Sequence, residues 1–119
     1  MPYQNILCVN LQESEENPAM SQHYFETIYQ NRPIEILMGW DRPSQGYYMV
    51  IEWSDEDDDE QIYLYNHVND EDLPEPFPKT LAPFIGKLAV LGITIPSKML
   101  QGVLADGASN VGNRTEYHN

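Results

Sequence analysis

An unbroken run of six carboxylates, Asp55, Glu56, Asp57, Asp58, Asp59 and Glu60, separates two segments that alternate in the manner of β-strands. In residues 47–53, Tyr47, Met49, Ile51 and Trp53 share one face. In residues 61–67, Ile62 and Leu64 alternate with Tyr63 and Tyr65. Period-two alternation on both sides of a polar break is the pattern of two antiparallel strands joined by a turn. The run thus fixes a hairpin with an acidic tip.

The acids are distributed unevenly. Seventeen of the nineteen lie in residues 1–75, against Arg32 and Arg42 alone, for a net charge of −15. Residues 76–119 hold two acids and four bases, for +2. An imbalance of this size bears on partners more than on fold. It argues against binding to nucleic acid or an anionic membrane, and favours a partner that is itself basic. Eight Tyr, three Phe and two Trp distinguish the chain from a disordered acidic segment. At 119 residues it is the length of one domain.

Cys8 is the single cysteine, which excludes an intrachain disulfide and fits a reducing cytoplasm. The opening Met-Pro-Tyr-Gln-Asn lacks the basic region of a signal peptide. The longest apolar stretch, around residues 88–95, is far shorter than a membrane span. On that reading the sequon at Asn113 has no glycan to receive.

Residues 3–11 read as a strand with an apolar centre, followed by an acidic loop over 12–17. Asn17 and Pro18 then form a helix start, and Met20, Tyr24 and Ile28 recur at every fourth position. This predicts a helix that Asn31-Arg32-Pro33 stops. Residues 34–40 read as a strand, and 42–46 as a turn. Residues 80–91 and 97–105 read as helices, with Thr80 capping the first, Gly92 ending it and Gly107 ending the second. An alternative for residues 89–95 is a buried strand. The expected whole is an α+β domain over residues 1–106, with a small, mostly antiparallel sheet of about four strands and two to three helices packed on it. Residues 107–119 are expected to fray.

The acidic run has a physical cost. An extended chain places one residue about every 3.3 Å, close to the axial spacing of phosphates along one DNA strand, about 3.4 Å. Two carboxylates 7 Å apart repel by roughly 0.6 kcal/mol even in a water-like dielectric. Neighbours lie within the physiological Debye length of about 8 Å, so salt does not remove the repulsion. A cationic partner would relieve it. Further acids join the run: Glu13, Glu15 and Glu16 before it, Glu52 beside it, and Asp70, Glu71, Asp72 and Glu75 after it. A solvated turn that promotes solubility explains a short acid run. It leaves the single-sign segregation unexplained.

Other chemistries find less support. Asp55, Asp57 and Asp59 match the first three positions of a calcium loop, but Glu60 stands where glycine is needed and Asn66 where a bidentate glutamate is needed. His23 and Glu26 would face each other on the expected helix. His67 and His118 have no partner at metal-ligand spacing, and zinc would need a denser set of His or Cys. Cys8 reads as an inert buried thiol. Ser44 and Ser54 lack a nucleophile-elbow context, and the glycines form no phosphate cradle. No catalytic residue, metal or cofactor is expected. Among the aromatics, Tyr47, Tyr48, Trp53, Tyr63 and Tyr65 belong mostly to a core, with one or two available to anchor an interface.

A small, strongly acidic, single-domain α+β chain with clustered carboxylates resembles the bacterial DNA-mimic proteins, and among them most the kind that binds the histone-like nucleoid protein HU. The resemblance covers length, acidity and the stretch from Asp41 to Glu75, and it is one of charge geometry. It implies a non-enzymatic, cytoplasmic, monomeric protein. Its carboxylates would occupy the DNA-binding site of a basic, HU-like protein, without binding nucleic acid or membrane itself. The four bases after residue 75 imply a mimic with one acidic face. Two rivals remain: an immunity-type inhibitor of a basic toxin or nuclease, and a small enzyme using carboxylates. The enzyme would show a concave pocket with raised-pKa acids. The mimic would show a convex acidic ridge.

Overall fold

The computed structural model describes residues 20–55 and 62–119. The strand expected over 3–11 with Cys8, the acidic loop with Glu13, Glu15 and Glu16, the cap at Asn17-Pro18, and Glu56, Asp57, Asp58, Asp59 and Glu60 lie outside the described residues. The elements are β1 (Ser21–Tyr29), β2 (Arg32–Asp41), β3 (Gly46–Trp53), β4 (Tyr63–Asn66), a 3-10 turn at His67–Asn69, α1 (Ala82–Leu91), α2 (Ser97–Ala108) and β5 (Arg114–His118). The fold is α+β. One five-stranded sheet runs in the order β4-β3-β2-β1-β5, antiparallel except where β5 joins β1 in parallel.

Three expected elements match directly. β2 and β3 pair over eight positions, with Ile34, Ile36, Met38 and Trp40 opposite Trp53, Ile51, Met49 and Tyr47. These residues form the core face, against which Leu81, Phe84 and Leu88 of the α1 region and Met99 and Val103 of α2 pack. β4 pairs with β3, and a register shift at Ile51/Glu52 sets Tyr65 against Ile51 and Tyr63 against Glu52. Gly92 ends α1 in the left-handed conformation expected of it, at φ 75°. Residues beyond it leave the helix, so the strand alternative for 89–95 falls.

Four expectations are corrected. Residues 21–29 form β1, an interior strand, not a helix. Gln30 and Asn31 both take positive φ, 51° and 66°, in a two-residue turn that pairs Tyr29 with Arg32. That is hairpin geometry of the primed type, matched to strand twist. Second, Thr80 does not cap α1, whose cap position is Leu81 without a side-chain hydrogen bond. Third, α2 continues past Gly107 to Ala108. Gly107 serves another purpose: a Cβ there would collide with the Tyr47 hydroxyl. Asn110, at φ 53°, makes the reversal, and its Oδ1 accepts hydrogen bonds from Trp40 Nε1 and Gln45 Nε2. Fourth, the C-terminal segment expected to fray supplies β5, in register with β1 from Ser21↔Arg114 to Phe25↔His118.

Candidate functional site

Strand alternation divides the sheet into two chemically distinct faces. The core face carries the apolar set described above. On the other face His67 of the 3-10 turn covers the buried Tyr48, and apart from Gly39 the remaining positions are half-buried or exposed. These include Tyr24, Glu26 and Ile28 of β1, Glu35 and Leu37 of β2, and Val50 and Glu52 of β3. Glu26 lies directly opposite Glu35, and Glu35 directly opposite Glu52. Three glutamates therefore stand abreast on adjacent strands, spanning two interstrand spacings of about 4.8 Å each. Tyr63 of β4 extends the row beyond Glu52.

Among the described residues, no Lys or Arg sits at an outward strand position of this face. Arg32 belongs to the other side, with its guanidinium 4.0 Å from the Trp53 ring centroid. Partial burial first, then the charges of Glu26 and Glu52, raise the Glu35 carboxyl above its ordinary value. The neighbouring tyrosines are amphipathic rather than greasy. Tyr24 stacks on Tyr117 across β1 and β5, ring centroids 5.0 Å apart, and Tyr117 is 73% exposed. Burial, the Tyr117 hydroxyl, and the charges of Glu35 and Glu52 raise Tyr24.

Of the acids singled out by sequence, Glu52 sits in this row. Asp55 does not stand free at the end of β3: Arg32 grips it in a bidentate pair, 2.8 and 3.0 Å. That pairing holds the Asp55 carboxyl below its ordinary value. Asp70 accepts a hydrogen bond from the Tyr65 hydroxyl at 2.7 Å and another from the backbone of Asp72, and these lower it similarly. Glu71, Asp72 and Glu75 are exposed. Asp70, Glu71 and Asp72 line a hollow together with Tyr63 and Lys87, which places this second patch beside the β4 end of the glutamate row.

Sequence reasoning missed Glu26 and Glu35. The misassigned helix turned Glu26 towards His23, whereas in a strand the two residues project to opposite faces. The available signal was a glutamate at the same-face position of each strand.

A second polar cluster lies behind the sheet, beneath α2. His23 is fully buried. Its Nε2 is 2.6 Å from Oδ2 of Asp106, itself 2% exposed. A carboxylate only accepts, so His23 Nε2 donates to Asp106. His23 Nδ1 lies 2.9 Å from Nε2 of His118, in a hydrogen bond between the two rings. Arg114 joins Asp106 Oδ1 and Glu116 Oε1, each at 2.6 Å. Burial, then the adjacent His23, push His118 below its ordinary value. His118 has no partner at metal-ligand spacing along the chain, and the one the fold gives it, His23, is 95 residues away, so no spacing rule could have joined them. No helix among the described residues is long and apolar enough to cross a membrane. No protein-family model matches the chain, and neither does any curated protein or solved structure.

Proposed function

We propose that the chain is a non-enzymatic binding protein whose outward sheet face, the one carrying Glu26, Glu35 and Glu52, occupies the DNA-binding site of a basic DNA-binding protein, an HU-like nucleoid protein first among them. The observation that carries this reading is the row Glu26–Glu35–Glu52, three abreast with no Lys or Arg at an outward strand position of their face among the described residues. Like charges placed directly across a sheet destabilise it, so the free protein keeps this row at a cost that a cationic groove would remove.

The surroundings support an interface. Tyr117, Tyr24 and Tyr63 flank the carboxylates, and tyrosine is favoured where one side chain must supply both apolar area and a polar tip. Ile28, 63% exposed, adds an apolar contact at the same face. Arg114 lies off this face, bound to Asp106 and Glu116 behind the sheet, as a cytoplasmic, monomeric mimic that docks one way round would require.

Competition between this protein and duplex DNA for HU, followed by fluorescence anisotropy of labelled DNA, tests the reading. Electrostatic complementarity predicts displacement that is strong at low salt and weaker at physiological salt. DNA that stays bound at both salt concentrations would refute it.

A further inference from the structure

We infer that His23, Glu116 and His118 form a binding site for a divalent transition metal of the zinc class, with Asp106 as the residue that orients His23. The site is independent of the acidic face, since its ligands project from the opposite side of the sheet.

One ligand atom from each residue, His23 Nδ1, Glu116 Oε1 and His118 Nε2, lies within 4.8 Å of the others. The fold explains why. β5 runs parallel to β1 with Glu116 in register with His23, and Glu116 and His118, two apart on one strand, share a face. At about 2.0–2.1 Å per bond, two nitrogens on a tetrahedral metal stand roughly 3.3 Å apart. The observed 2.9 Å requires His118 to move outward by a few tenths of an ångström, to turn its Nε2 towards the metal, and the proton shared by the two rings to leave as the metal enters. Glu116 Oε1 is already 3.9 Å from His23 Nδ1.

His23 is held as a ligand needs to be. The Asp106 carboxylate fixes the proton on Nε2 and so directs the Nδ1 lone pair at the site, the carboxylate–histidine arrangement that commonly stands behind metal ligands. Gly102 of α2 lies close enough that a Cβ there would come within 2.8 Å of His23 Cε1, so the ring has little room to turn. Two imidazoles and one carboxylate suit zinc and its neighbours, and suit the all-oxygen preference of calcium or magnesium poorly. The Glu116 side chain is 41% exposed, which leaves the outer direction of the site to water as a fourth ligand. Arg114 competes for Glu116 Oε1 and Lys98 lies near His118, so the two imidazoles must supply most of the affinity.

Titration with Co2+ under visible absorption, and with Zn2+ against a chromophoric chelator, tests the site on the full chain. The wild type should bind one equivalent and show the d–d band of tetrahedral cobalt. His118→Ala should abolish the band, and Glu116→Gln should weaken Zn2+ binding by at least tenfold, with circular dichroism confirming that each variant is folded. Weak binding by surface acids would survive both substitutions and give no such band. If His118→Ala does not fold, Glu116→Gln alone decides. A wild type without the band, or a band and affinity unchanged in the folded variants, would overturn the inference.

Discussion

Glu35 of β2 stands directly opposite Glu52 of β3, with Glu26 of β1 opposite it on the other side. Its carboxyl titrates above the ordinary 4.5 because burial and both neighbours disfavour its charge. Folding therefore favours the protonated form. The stability linked to Glu35 is greatest at low pH and falls as pH rises through 4.5 towards the raised folded value. Glu35→Gln should remove that fall and stabilise the free protein at neutral pH by about 0.5–1 kcal/mol, the scale of cross-strand charge pairs. Urea denaturation at pH 4 and pH 7 checks this: the substitution should act mainly at pH 7.

The buried Asp106 links α2 to both β1 and β5 through His23 and Arg114. Removing it leaves a fully buried imidazole N–H without an acceptor. Asp106→Ala should cost about 3–5 kcal/mol, the range for breaking a buried pair from one side. The loss should appear first as faster amide hydrogen exchange in residues 114–118, whose one sheet neighbour among the described residues is β1.

His67 supplies a pH dependence of opposite sign. Its Nδ1 donates to the Pro76 carbonyl at 2.7 Å, and its ring packs on Phe77, Tyr48 and Phe84. Burial pushes it below 6.5, while the Pro76 carbonyl and Asp41 act in the other direction. The stability it contributes is present above 6.5 and is lost as pH falls through the lowered folded value. Thermal unfolding should show a decline in Tm between neutral pH and pH 5 that His67→Gln reduces.

The sheet's centre was legible in the sequence because β2 and β3 place a large apolar or aromatic residue at every second position, Ile34 to Trp40 and Tyr47 to Trp53, and Gly92 marked the end of α1. β1 was not, for a physical reason. Its inward positions Ser21 and His23 are polar, buried through hydrogen bonds and not through apolarity: Ser21 Oγ accepts from Trp40 N, and the Tyr48 hydroxyl donates to its carbonyl. With those positions silent, Met20, Tyr24 and Ile28 imitated a helical stripe. β5 is five mostly polar residues whose place depends on β1 and Asp106, so it carried no signal of its own. The acidic patches were visible as composition. Their alignment was not, because it depends on the register of three strands.

The most direct measurement of the central claim is the affinity of the protein for HU at two salt concentrations, wild type against the triple variant Glu26→Gln, Glu35→Gln and Glu52→Gln. The row predicts at least tenfold weaker binding at low salt and a shallower salt dependence, in a variant that is more stable when free. Unchanged affinity and salt dependence in a folded triple variant would contradict the assignment of this face as the contact surface.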